Sequence, residues 1–133
     1  MTTQSNKGMN ISLWIAQVIL AAMFLMSGFM KLTQSIEQLS QMLPWAKDLP
    51  LLTRFIGFAE VLGALGLLLP SLLRIKPNLT VGAAIGLALV MVSAIAFHIM
   101  RGEFSHIGFP VVLLIVAVFV AWGRSRKAVI QAK

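Results

Sequence analysis

The stretch LLTRFIGFAEVLGALGLLL, from Leu51 to Leu69, has the length of a membrane span and carries an acidic residue, Glu60, inside it. A helix of about 20 apolar residues crosses the hydrocarbon core of a bilayer. An ionised carboxylate costs at least about 2.5 kcal/mol there, so it normally faces protein or a water-filled cavity. We therefore interpret Glu60 as pointing into a helix bundle and as the leading candidate for a functional residue.

The composition of the whole chain agrees with a membrane environment. Of its 133 residues, 59% are hydrophobic and 11% are charged, whereas soluble domains have about 45–50% apolar and about 25% charged residues. A net charge of +7 would suggest a nucleic-acid partner in a soluble protein. Here the charges flank apolar segments, so no nucleic-acid partner is expected. The chain has no cysteine, which excludes disulfides, thiolate metal sites and thiol chemistry by this chain alone.

Four apolar segments predict an all-α polytopic membrane protein, a bundle of four transmembrane helices. The predicted spans are 11–30, 51–69, 79–100 and 107–122, and Pro70 is expected to end the second. The first segment is long for a signal peptide, no cleavage site follows it, and further spans come after it. A polar N-terminal tail, 1–10, and a basic C-terminal tail, 124–133, are predicted to flank the membrane domain, 11–123.

The connection between the first two spans is too polar to cross the membrane. Ile36, Leu39 and Leu43 follow helical spacing before Pro44, which indicates a short amphipathic helix at the membrane surface. An ordinary structured loop is the alternative. Trp45 suits an interfacial depth.

Small residues indicate where helices pack closely. The predicted packing positions are Gly57, Gly63, Gly66, Gly82 and Gly86. Gly82 and Gly86 have GxxxG spacing, and Ala84 and Ala88 repeat the pattern. A homo-oligomer is compatible with this spacing but is not required by it. The eight methionines are scattered along the chain and are interpreted as core filler.

The distribution of charges predicts the orientation of the chain. Four spans place both termini on one side, which carries seven basic and no acidic residues: Lys7, Arg74, Lys76, Arg124, Arg126, Lys127 and Lys133. The other side carries four basic and four acidic residues: Lys31, Lys47, Arg54, Arg101, Glu37, Asp48, Glu60 and Glu103. The positive-inside rule therefore predicts that both termini are cytoplasmic.

This orientation brings polar groups from all four spans to one depth, and four helices around that layer predict an outward-facing polar pocket around Glu60. The candidates for ligand binding or proton exchange are Glu60, Lys31, His98 and His106. We expect Glu60 to contact Lys31 or His98 directly or through one water, because a lone buried carboxylate is costly. Each residue also has a structural interpretation, as a carboxylate that holds the bundle, a snorkelling lysine or an interfacial histidine. The spacing matches no metal-ligand motif, and no catalytic or redox-cofactor motif is present.

Three segments resemble the DoxX and DoxX-like family of small membrane proteins: SGFMKL at Ser27–Leu32, FAEVLGALGLLLP at Phe58–Pro70 and AIAFHIMRGE at Ala94–Glu103. The resemblance implies a four-helix bundle in the bacterial cytoplasmic membrane, with the family's polar positions at Lys31, Glu60 and His98. Some relatives belong to quinone-linked oxidation of sulfur compounds or associate with redox-defence enzymes. Relatives that act through cysteines are no guide to this chain.

These observations leave three functional hypotheses. The first is a binding component for a small lipophilic molecule, with a quinone as the candidate cofactor and a partner protein supplying electrons. The second is a structural or assembly subunit of a membrane complex, without ligand or turnover. The third is a small proton-coupled exporter, although small multidrug exporters place their essential carboxylate in the first span and this first span has no acid.

Overall fold

The computed structural model describes residues 7–43 and 46–131, without the side chains of Met42 and His106. These residues form α1 (Lys7–Thr33), α2 (Ile36–Met42), α3 (Pro50–Leu73), α4 (Asn78–Met100) and α5 (Gly108–Trp122). A 3-10 turn, Phe104–His106, precedes α5, and a π-helical turn, Gly123–Lys127, follows it.

Four of the described helices are long and apolar enough to cross a membrane: α1, α3, α4, and α5 together with its π-helical turn. Large apolar side chains such as Leu51, Met100 and Ile115 cover their outer surfaces, as expected where lipid is the solvent. The predicted all-α fold with four spans is therefore confirmed, and so is the short helix between the first two spans.

Two helix boundaries differ from the prediction. Helix α1 already begins at Lys7, within the segment that was predicted to be a tail. Helix α3 continues through Pro70 to Leu73, so the prediction that Pro70 ends it was wrong. Internal prolines are tolerated in membrane helices. Directly after Pro70, the buried Ser71 forms a 2.6 Å side-chain hydrogen bond with Thr80, which joins α3 to α4. Pro44 and Trp45 lie outside the described residues.

The helices form two antiparallel pairs, α1 with α3 and α4 with α5, and α3 also packs against α4. We call the end of the bundle where α1 stops and α3 starts the Glu60 end, and the opposite end the Arg124 end. The buried apolar core lies between the pairs and consists of Leu20, Ala21, Phe24, Ala64, Leu67, Ala84, Leu87, Met91, Leu113, Ala117 and Val120.

The predicted packing glycines fall into two groups. A Cβ on Gly63 would lie 2.6 Å from Leu87, and one on Gly66 would lie 2.8 Å from Ala83, so both glycines allow close contact between α3 and α4. Gly82 and Gly86 are exposed, and apart from the adjacent residues and backbone of α4 no described atom lies within 4 Å of a Cβ built on either. The small residues of α4 that pack in or against the core are Ala83, Ala84 and Ala88 instead.

Arg124 was predicted to belong to the C-terminal tail, but its side chain forms hydrogen bonds that join helices at the Arg124 end. Its side chain is buried; its Nε donates to Gln17 Oε1 at 2.5 Å, and its Nη1 donates to Asn10 Oδ1 at 2.6 Å and to the carbonyl of Ala128 at 2.9 Å. Gln17 Nε2 in turn donates to the carbonyl of Leu67 at 2.6 Å. One network thus joins α1, α3 and the turn after α5.

Candidate functional site

Glu60 lies on the buried face of α3 and contacts two polar residues of α1. Its Oε1 accepts hydrogen bonds from Lys31 Nζ at 2.9 Å and from Ser27 Oγ at 3.1 Å. Lys31 Nζ also donates to Ser27 Oγ at 2.9 Å, which closes a triangle. Only 3% of the Glu60 side chain and 12% of the Lys31 side chain are exposed. The geometry predicted from the sequence, an inward Glu60 in direct contact with Lys31, is present.

Two glycines bring the triangle together. A Cβ on Gly28 would lie 2.6 Å from the carbonyl oxygen of Gly57, and a Cβ on Gly57 would lie 2.7 Å from Lys31 Cβ. Helices α1 and α3 therefore touch backbone to backbone at this level. Lys31 and Glu60 each follow one of these glycines by three residues, so each lies on the same helix face as its glycine. Because the helices are antiparallel, Lys31 lies one turn from Gly28 towards the Glu60 end and Glu60 lies one turn from Gly57 in the opposite direction, and their long side chains meet across the contact.

Arg54 of α3 fixes the end of α1 beside the site. Its Nη1 donates to the carbonyl of Lys31 at 2.6 Å and to the carbonyl of Gln34 at 2.7 Å. Carbonyls at the end of a helix have no partner within the helix and carry partial negative charge. The guanidinium supplies both the donors and the compensating charge, so the backbone of Lys31 is held against α3.

A cavity of about 850 Å³ lies between the two helix pairs at the Glu60 end. The Ser27–Lys31–Glu60 triangle lines one side, and His98, with Glu103, lines another. The remaining lining is mainly apolar: Met23, Phe24, Met26, Met30, Leu39, Leu43, Leu52, Phe55, Ile56, Leu89, Val90, Met91, Ser93, Ala94, Phe97, Ser105, Phe109, Pro110 and Leu113. Ligand pockets have volumes of about 300–1,000 Å³ and this combination of apolar walls with a few polar groups.

Helix α2 contributes to the cavity from the connection between α1 and α3. Ser35 caps it by accepting a hydrogen bond from the Gln38 N–H at 3.2 Å. Leu39 is buried, and together with Leu43 it lines the cavity. The apolar face that the sequence assigned to a surface helix is therefore turned towards the site.

A second group of polar side chains, separate from the Ser27–Lys31–Glu60 triangle, lies at the turn between α4 and α5 and consists of His98, Arg101 and Glu103. His98 Nδ1 lies 2.8 Å from Glu103 Oε1, and Arg101 Nε lies 3.3 Å from Glu103 Oε2. Gly102, with φ of 73°, folds the chain back so that Glu103 reaches the last turn of α4. The hydrogen bond from His98 holds the pKa of Glu103 below its ordinary value of 4.5, and Arg101 lowers that pKa further.

This lowered pKa predicts how the turn responds to acid. Glu103 binds its proton less readily in the folded protein, so its contribution to stability is complete above pH 4.5 and is lost as the pH falls through the lower, folded-state pKa. Carboxyl 13C NMR of the protein in micelles should show Glu103 titrating below pH 4.5. His98→Ala and Arg101→Ala should each raise the pKa of Glu103. An unchanged pKa in the His98→Ala variant would contradict the assigned cause.

The structure places three of the four predicted site residues around one cavity: Glu60, Lys31 and His98. His106 lies in the 3-10 turn before α5, and its side chain is outside the described part of the chain. Sequence reasoning did not assign roles to Ser27 and Glu103. The i, i+4 spacing of Ser27 and Lys31 was a usable signal, whereas the contact between Glu103 and His98 depends on the turn at Gly102. Within the described residues, no three His, Asp or Glu side chains cluster as metal ligands would.

The four spans and the polar cavity between them define a multi-pass α-helical membrane protein. The DoxX-like family matches residues 15–120 of the chain. The chain therefore belongs to the DoxX-like family. No curated protein and no solved structure matches it.

Proposed function

We propose that the protein binds a small lipophilic molecule with a polar head group, of which a quinone is the leading example, in a membrane redox process. The observation that supports this most is the cavity of about 850 Å³ with the Lys31–Glu60 pair in its wall. A charged pair is costly in an apolar wall, and ligand recognition gives it a use beyond holding α1 against α3.

The rim of the cavity supports a ligand that arrives from the bilayer. Met26, Phe55, Leu89 and Phe109 line the cavity and are each more than half exposed, at 62%, 67%, 62% and 61%. They lie on four different helices of a membrane bundle, so lipid reaches the cavity wall from the side. A molecule dissolved in the bilayer would enter without crossing water.

The triangle retains one donor and one acceptor for a ligand. An ammonium group has three hydrogens, and Lys31 uses two of them, towards Ser27 and Glu60. Among the described residues, Glu60 Oε2 receives no hydrogen bond, since both bonds to Glu60 reach Oε1. The carbonyl of a quinone would accept from Lys31, and the hydroxyl of its reduced form, a quinol, would donate to Glu60 Oε2.

The proposed location is the bacterial cytoplasmic membrane with both termini in the cytoplasm. The basic residues near the Arg124 end, including Arg74, Arg126 and Lys127, support this orientation by the positive-inside rule. The cavity would then open in the outer half of the membrane. Since no redox-cofactor motif is present in the chain, a partner enzyme or membrane subunit would deliver or remove the electrons.

The test is binding of a short-chain quinone and its quinol to the purified protein in lipid nanodiscs. Wild type is expected to bind both, and Glu60→Gln is expected to weaken quinol binding by about tenfold or more, because hydrogen bonds to charged groups contribute about 1.5–3 kcal/mol. Quinone affinity should change less, since the carbonyl binds Lys31. Dissociation constants from quenching of tryptophan fluorescence would report both.

The matched control is Glu37→Gln, the same substitution on the exposed side of α2, outside the cavity lining. It should bind both probes as wild type does. A Glu60→Gln protein with unchanged affinity for both probes would refute the proposed role of the triangle. Wild-type protein that binds neither probe would refute the proposal and favour an assembly subunit, for which the exposed Gly82 and Gly86 face of α4 offers a contact surface.

A further inference from the structure

Four methionines line the cavity, three of them on the α1 face that carries Ser27 and Lys31. Met23, Met26 and Met30 line it from α1, and Met91 lines it from α4. These are half of the eight methionines in the chain. Intervals of three and four residues place the α1 methionines on one helix face, together with Ser27 and Lys31. The sequence interpretation of core filler fits Met91 and Met23, which lie in or against the buried core. Their place in one cavity wall was not predicted, because it depends on how α1 and α4 face each other.

The polar part of the same wall is fixed in place. Lys31, Ser27 and Glu60 are bonded to one another. The backbones beneath them approach closely at Gly28 and Gly57, so that even a Cβ there would clash with the neighbouring helix. A rigid polar group is thus set directly beside the methionine side chains.

The methionine side chains make the adjoining apolar surface adaptable, in contrast to the fixed polar group. A methionine side chain is unbranched and has three rotatable bonds, so it fills irregular gaps and adapts to different partners. Binding surfaces that accept many partners use such methionine-rich patches, which repack around each of them. A leucine at the same positions would keep the volume but would present a stiffer, branched shape.

From this contrast we infer that the cavity selects its ligand by the polar head group and accepts apolar bodies of different shape, with Met23, Met26 and Met30 as the adaptable wall. The inference rests on the proposed function, and it adds that the cavity binds several lipophilic molecules rather than a single one. The ligand class is then a set of ring compounds that share a carbonyl or hydroxyl head and differ in ring size and substituents.

The experiment measures three probes on one protein. The probes carry the same single prenyl tail on an unsubstituted benzoquinone, a dimethoxybenzoquinone and a naphthoquinone. Wild-type protein in nanodiscs is expected to bind all three with dissociation constants within about tenfold of one another. The triple variant Met23→Leu, Met26→Leu, Met30→Leu is expected to bind one probe with the wild-type affinity. Its affinity for the worst-fitting probe is expected to fall by about tenfold or more.

The control replaces methionines outside the cavity lining, Met9→Leu with Met100→Leu, and should leave the three affinities as in wild type. The single variants Met26→Leu and Met30→Leu should each shift the ratio of affinities in the direction of the triple variant. A wild type that binds only one of the three probes, or a triple variant with the wild-type profile, would overturn the inference and leave the proposed function intact. Failure of all three probes on wild type would overturn both.

Discussion

Lys31→Met is expected to destabilise the protein by about 3–5 kcal/mol, since removing one partner of a buried ion pair leaves the other charge unpaired. The remaining carboxylate would be that of Glu60, whose side chain is only 3% exposed. Ser27 would still donate one hydrogen bond, but a hydroxyl does not balance a charge. Thermal or denaturant unfolding of the purified protein, followed by circular dichroism, measures the loss.

A double variant separates the charge from the packing. Lys31→Met combined with Glu60→Leu removes both charges and keeps side chains of similar volume, and such replacements are often neutral or stabilising. The double variant should therefore regain most of the stability that Lys31→Met loses, although it should not bind a quinol. Lys47→Met, at an exposed position, serves as the control and should unfold as wild type does. Equal stability of Lys31→Met and wild type would show that the pair does not hold α1 to α3.

Gly57→Leu is expected to separate α1 from α3. Its Cβ would lie 2.7 Å from Lys31 Cβ and 2.9 Å from the carbonyl oxygen of Gly28, and neither atom is the far end of a flexible side chain. Overpacking costs about 1–3 kcal/mol and occasionally more. We expect the upper part of this range, because the helices can only move apart, which would also lengthen the contact between Lys31 and Glu60. Both the unfolding midpoint and probe binding should fall.

Gly86→Leu is the matched substitution at a position without neighbours. Apart from the adjacent residues and backbone of α4, no described atom lies within 4 Å of a Cβ at Gly86, and leucine favours a helix over glycine by about 0.8 kcal/mol. This variant should be as stable as wild type or slightly more stable. Equal destabilisation of Gly86→Leu and Gly57→Leu would indicate that this face of α4 contacts something outside this chain, such as a second copy. It would also remove the support for Gly57 as the decisive contact between α1 and α3.

The sequence predicted the fold well because the strongest signals are local. Length and apolarity identified the four spans, and the apolar spacing before Pro44 identified α2. The inward position of Glu60 followed from the cost of a charge in hydrocarbon, and Lys31 was a natural partner because α1 ends where α3 begins. These inferences required no knowledge of how distant helices pack.

The packing face of α4 and the role of Arg124 were missed because both depend on which helix faces which. Gly82 and Ala84 carry equivalent small-residue signals, but only one of the two faces meets the bundle core. Arg124 looked like part of a basic tail, because its acceptors Gln17 and Asn10 are more than a hundred residues away in sequence. A polar pocket around Glu60 was expected, but its volume and its methionine lining were not, since they arise from the separation of the two helix pairs.

The position of the Arg124 network has a consequence for how this protein can change over evolutionary time. Arg124, Gln17 and the Ser71–Thr80 contact join the helix pairs at one end, while the cavity lies at the other. Substitutions of exposed wall residues such as Met26 and Phe55, which belong neither to the core nor to the Lys31–Glu60 pair, therefore leave this joint intact. Descendants of such a chain can drift towards new ligands residue by residue while the scaffold is inherited unaltered.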